Sequence, residues 1–200
     1  MGLNKYLSKI FQKEWKAEKD ENYDYDAIMK TKEFEFRQTK NSVVRIEKPS
    51  NLVSARQVGY KAKQGIFVVR AKVRKGHGTY SRPKNKRRPK RQGQAKLTRR
   101  KSTQAIAEER VSKKYENAEV LGSYKVGEDG RTHYYEVVLA DRLATTIKAD
   151  KELSFLSKNQ KGRAERGKTF VGRVNKEENK KNHAKNKRKK NILYKNNRSK

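Results

Sequence analysis

The sequence predicts an α+β fold, a small antiparallel sheet with flanking helices and long basic extensions. Three observations carry that expectation. In "GIFVVRAKVRK", residues 65–75, the odd positions Phe67, Val69, Ala71 and Val73 form one apolar strand face. The even positions begin with Ile66 and Val68 and turn into Arg70, Lys72 and Arg74. Next, "EVLGSYKV" and "THYYEVVLA" are strand-like runs around the Gly- and Asp-bearing turn "GEDGR", which together read as a hairpin. Between strand and hairpin, "STQAIAEERVSKKY" reads as a helix, with Ser102 or Thr103 as its N-cap and Ala107, Val111 and Tyr115 on one face.

The remaining elements follow in order. At the N-terminus Leu3, Leu7, Ile10, Phe11 and Trp15 recur at helical spacing, with Lys5, Lys9, Lys13 and Lys16 opposite. That pattern predicts a helix docked on the core, its lysine face either simply solvated or meeting phosphate. The stretch from Glu18 to Asp26 reads as a solvated connection, and "DAIMKTKEFEFRQ" as a second helix. After the 65–75 strand, residues 75–101 carry Gly76, Gly78, Pro83, Pro89 and Gly93, which rule out a regular helix or a central strand. So much like charge with so little apolar surface predicts an extension ordered by nucleic acid. A short helix or strand through "LATTIKADKELSFL" follows the hairpin. The end, "KNHAKNKRKKNILYKNNRSK", has the composition of a chain disordered in free solution. The expected division is a helical arm and connector over 1–58, an α+β core over 59–157 with its basic extension 75–101, and a basic tail over 158–200.

Charge points to the partner. The chain holds 54 Lys+Arg against 22 Asp+Glu, a formal +32 on 200 residues, which favours a polyanion. The signs are segregated: residues 48–107 carry 19 basic side chains and no acidic one, and residues 158–200 carry 17 against three. A surface chosen only for solubility would mix them. With 32% hydrophobic residues the chain can bury one modest core.

Several chemistries are excluded. There is no Cys, hence no disulfide framework and no thiolate metal site. His77, His133 and His183 lie far apart and share no helical ligand spacing. Glu108 and Glu109 are adjacent and diverge on a helix, a poor geometry for paired acid–base work. Glu128 and Asp129 read as turn residues. No cofactor is expected, with Mg²⁺ only as an ion held by the phosphates of a bound polyanion. "MGLNKYLSKI" has no apolar leader segment, and Tyr6 stands where a myristoylation signal wants Ser or Thr. The longest apolar runs, such as "IFVV", are too short to span a membrane, so a cytoplasmic protein is expected.

Same-face residues on a strand are about 6.6 Å apart, comparable to neighbouring phosphates, so Arg70, Lys72 and Arg74 can track a sugar–phosphate chain. RNA is favoured over DNA, because a small body with irregular arms and no groove-reading motif suits folded RNA. The candidate RNA-binding residues are Arg56, Lys61, Lys63, Arg70, Lys72, Arg74, Lys75, Arg82, Lys84, Arg87, Arg88, Lys90, Arg91, Arg99, Arg100, Arg163, Arg166 and Arg173. Two other classes stay open: an RNA-processing enzyme, for which no motif is present, and a non-specific RNA-binding or chaperone protein.

"VVRIEKPSNLVSARQVGYKAKQGIFVVRAKVRKG", "AIAEERVSKKYENAEVLGSYKVGEDGRTHYYEVVLAD" and "KGRAERG" occur in that order from about Val43 to Gly167. They resemble successive blocks of the archaeal and eukaryotic large-subunit ribosomal protein family fifteen-e, with "GYKAKQG" and "VGEDG" the most specific pieces and the archaeal branch nearer. The resemblance implies a structural, non-enzymatic constituent of the large ribosomal subunit. It also implies an antiparallel sheet flanked by helices, extensions threaded among rRNA helices, and neighbouring large-subunit proteins as further partners. Neither membrane association nor a homo-oligomer is expected.

Overall fold

The computed structural model describes residues 2–20, 22–76, 81–82, 86–93, 99–158 and 161–198, with backbone alone at 182, 186 and 189–198. Helix α1 (Leu3–Lys16) opens the chain and stops at Ala17, whose φ of 52° is left-handed. A small hairpin of β1 (Lys19–Asp20) and β2 (Tyr23–Asp24) follows. Asp24 then caps α2 (Tyr25–Gln38) by accepting from the N–H groups of Asp26 and Ala27. The stretch read as a solvated connection is therefore a structured corner. Glu14 of α1 and Lys32 of α2, 2.6 Å apart, tie the two helices together.

The body is a four-stranded antiparallel sheet in the order β3 (Val43–Ile46), β4 (Ile66–Arg74), β6 (Thr132–Asp141), β5 (Ala118–Glu128). Helix α4 (Thr103–Lys114), capped by Ser102 bonding to the Ala105 N–H, packs on one face. There Val69, Ala71, Val73, Val137 and Leu139 meet Ala107 and Val111 in a dry cluster. The odd positions of the 65–75 strand and the expected face of α4 thus meet each other.

The second face is also covered, which composition did not suggest. Ile66, Val68, Val138 and Ala140 pack there with Ala55 of α3 (Leu52–Gln57), Ile147 of α5 (Thr145–Lys148) and Leu156. Gly122 lies at a bulge in β5, and a Cβ there would stand 3.0 Å from Val58 just beyond α3. Further along this face α2 delivers Phe36, 1% exposed, with its ring 5.3 Å from that of Tyr134. Arg70, under Phe36 and beside Glu136, therefore does not stand in an open cation row with Lys72 and Arg74. The sequence reading took Arg70 as one of three cations free to track phosphates, because its cover comes from α2, far upstream in the chain.

β3 and α3 were not anticipated. Four residues are too few to show alternation against the Pro that follows, and a six-residue helix offers barely two turns of periodicity. Both lie within the 1–58 segment and pack into the sheet body.

After β6, α5 and a 3₁₀ turn over Ser154–Leu156 occupy the stretch read as a short helix or strand. Helix α6 (Phe170–Arg198) then runs unbroken, where composition predicted disorder. No Pro interrupts it, and straight-chain Lys, Arg and Glu lose little rotamer freedom in a helix. The basic extension shows only a 3₁₀ turn, Pro89–Arg91, among its described residues. The parts of the 75–101 reading that fall on 77–80, 83–85 and 94–98 lie outside the described residues.

Candidate nucleic-acid interface

A basic groove runs across one end of the sheet, where α2 finishes, β4 finishes and β6 starts. Arg37, Lys72, Arg74, Arg110 and Arg131 line a hollow of about 660 Å³ together with Ser42, Asp129 and Tyr134. Ser42 and Arg110 also line an adjoining hollow of about 480 Å³, which adds Asn41, Lys113 and Lys114.

Local structure places each cation. Asp129 turns the hairpin by accepting from the N–H groups of Arg131 and Thr132, both at 2.7 Å, and from the Tyr134 hydroxyl at 2.8 Å. Burial works against its charge, but these bonds and Arg37 hold its carboxyl below the usual range. The Arg131 backbone is thereby fixed at the rim, and its side chain is exposed. Lys72 donates its ammonium to the Thr39 carbonyl just past the end of α2. Arg110 donates to the Lys72 carbonyl at 3.2 Å, Arg99 to the Arg74 carbonyl at 3.3 Å and Lys114 to the Val43 carbonyl at 2.8 Å. A guanidinium has five N–H donors, so one bond to a carbonyl orients it and leaves the rest free.

The cations differ in whether they are paired. Among the described residues, none of Arg37, Lys72, Arg74, Arg110, Lys113, Lys114 and Arg131 lies in an ion pair. Arg70, by contrast, is 3.5 Å from the fully buried Glu136 and lies over the Phe36 ring at 4.0 Å. Lys63 bonds Asp150 and is the main cause holding that carboxyl down at about 2. Lys61 pairs with Glu152 at 2.6 Å. Lys75 pairs with Glu128, whose carboxyl is held at about 2 by bonds from Lys125 and then Lys75.

The remaining candidates are spread out. Arg56 is exposed beside Asn4. Arg82, Arg87, Arg88, Lys90, Arg91 and Arg100 are exposed on the basic extension, and Arg166 and Arg173 near the start of α6. Arg163 lies 5.2 Å over Phe155 and is half-covered. Lys84 lies outside the described residues.

Arg37, Arg110, Lys113, Lys114 and Arg131 were missed because they sit in charge-mixed segments. A signal did exist: Arg110, Lys113 and Lys114 are spaced i, i+3, i+4 and so cluster along one flank of α4.

Three buried glutamates complete the picture. Glu136 accepts from Ser50 and from the Tyr124 hydroxyl at 2.6 Å; burial, then Glu136, push that hydroxyl above its ordinary pKa, keeping it a donor. Glu119 accepts from the N–H groups of Gly162 and Arg163 at 2.9 and 3.0 Å. Glu108 accepts from the hydroxyls of Ser123 and Thr169, fastening the base of α6 to the body. Each is occupied in holding chain segments together. No group of three His, Cys, Asp or Glu among the described residues is placed to hold a metal, and no described helix is long and apolar enough to cross a membrane.

An α+β body with a cationic groove at one end of its sheet defines a polyanion-binding protein. Sequence comparison makes that class specific. The family model described as Ribosomal L15 matches residues 4–195. Large ribosomal subunit protein eL15 of Methanocorpusculum labreanum is 50% identical over 132 residues, 66% of this chain and 68% of the relative. The protein of the same name from Methanospirillum hungatei is 52% identical over 132 residues, 66% of this chain and 67% of the relative. That of Picrophilus torridus is 50% identical over 132 residues, again 66% and 68%. The chain belongs to this ribosomal protein family.

Proposed function

We propose that the chain is a structural constituent of the large ribosomal subunit in the cytoplasm and holds folded rRNA. The groove around Arg74, Arg110 and Arg131 engages the sugar–phosphate backbone, and the basic extension and α6 reach further along the RNA. The single observation that carries this reading is the set of cations at the groove, Lys72, Arg110 and Lys114, oriented by backbone carbonyls and in no ion pair among the described residues. Such an arrangement fixes positive charge in place before the ligand arrives and leaves it uncompensated until phosphate does. Family membership supplies the particular RNA, that of the large subunit, and makes neighbouring ribosomal proteins the natural further partners. Of the sequence-predicted cations, Arg74 and those exposed on the extension and α6 keep the RNA-binding role. Arg70 acts chiefly as an internal anchor.

Sedimentation tests the proposal. The tagged chain should travel with large subunits and their precursors and be released by high salt. Recovery in the slowly sedimenting fraction at low salt would contradict it.

A further inference from the structure

Helices α1 and α3 leave a second cleft between them, of about 390 Å³, on which the phosphate groove does not draw. Phe11, Trp15 and Val53 give it an apolar wall, Gln12 and Gln57 bring side-chain amides, and Lys16 lies at its edge. Trp15 is the one tryptophan of the chain, yet it is 54% exposed. The Lys125 ammonium lies over the indole, 5.5 Å from the ring centroid, and is held there by Glu128 at 2.9 Å. A half-exposed indole beside an oriented cation is the kind of aromatic platform on which proteins stack unpaired bases.

Charge decides between a nucleotide and an apolar side chain of another protein. Helix α1 carries Lys5, Lys9, Lys13 and Lys16 against one acidic residue, Glu14, which is already engaged by Lys32 at 2.6 Å. Lys16 is 3.6 Å from Glu18 in an open surface pair, which a phosphate can displace at little cost. Asn51 and Ser54 also line the cleft, but the Asn51 side chain is committed to the Ser54 N–H as a helix cap. The amides free to meet a base edge are those of Gln12 and Gln57.

We propose that this cleft takes one unpaired RNA nucleobase, stacked on Trp15, with Gln12 and Gln57 at its edge and Lys16 and Lys125 toward the flanking phosphates. This rests on the RNA-binding role proposed above and adds an extruded nucleotide to it. Amides both donate and accept, so the site tolerates more than one base.

Trp15 supplies its own probe, because no other indole contributes emission. The full-length chain is titrated with purified large-subunit rRNA while indole fluorescence and filter retention of the labelled RNA are followed together. Emission should be quenched in step with retention. Trp15→Ala should weaken binding roughly 5- to 100-fold, whereas Trp15→Phe, which keeps a stacking face, should recover most of it. α1 buries none of its residues completely, so neither change should unfold the body. Retention with unchanged emission overturns the stacking site and leaves the RNA-binding role standing, and so does equal loss in the Phe and Ala variants. Absence of retention by the parent chain overturns both.

Discussion

The Arg70 guanidinium lies 3.5 Å from the Glu136 carboxylate, directly across the β4–β6 ladder, and the carboxylate is fully buried. Tyr124 faces Glu136 from β5, so the row runs across three strands. Removing the cation leaves a buried carboxylate without its counter-charge. Arg70→Gln should therefore cost roughly 3–5 kcal/mol of folding stability. Arg74→Gln, four residues on and exposed, should change stability by less than about 0.5 kcal/mol. Urea unfolding of the two variants beside the parent checks the contrast, and equal costs would show that the two cations play the same part.

The groove makes the complementary prediction for binding. Replacing both Arg110 and Arg131 by Gln removes two phosphate partners without touching the core. The slope of log K against log salt for rRNA should fall by about 1.4–1.8, at unchanged thermal stability. Lys61→Gln, which removes a cation already paired with Glu152, should alter the slope less. A filter-binding salt series on each variant measures this.

Glu108 gives the fold a pH dependence of defined sign. Burial raises its pKa above 4.5, outweighing the hydroxyl bonds from Ser123 and Thr169, with Glu109 adding to the rise. The folded chain therefore binds this proton more tightly than the unfolded chain. The resulting stability is fully present below the unfolded pKa and is lost as pH rises through the folded one. Glu108→Gln, which resembles the protonated acid, should gain on the parent as pH is raised from about 4 to about 8. Chemical denaturation of both chains across that range reads the difference, and a constant gap would contradict the expectation.

Gly65 marks where β4 begins. Its φ is +90°, and an added Cβ would stand 2.9 Å from both Ala144 Cβ and Ile147 Cγ1. Backbone strain and overpacking coincide, so Gly65→Ala should cost roughly 2–4 kcal/mol. A shift in the urea midpoint at constant slope would report it.

Where structure depends on neighbours in sequence, the residues announced it. The β5–β6 hairpin, the Ser102 cap and the inward face of α4 follow from alternation, turn chemistry and helical spacing. The covered second face did not, because Phe36, Ala55 and Ile147 converge on it from three separate segments. The same limit divided the interface. Lys72 and Arg74 stood out within an acid-free segment, whereas Arg37, Arg110 and Arg131 join them only once the sheet is assembled. Likewise, nothing in the alternation of β4 distinguishes Arg70 from Arg74. Only the chain that crosses above them does.

RNA–protein crosslinking on purified large subunits, with the crosslinked residues mapped on both sides, tests the rRNA-binding groove most directly. The expected result is crosslinks from the segments bearing Arg74, Arg110 and Arg131 to one confined region of large-subunit rRNA, and none from Arg70. Groove segments free of crosslinks, or crosslinks scattered over unrelated rRNA regions, would contradict it.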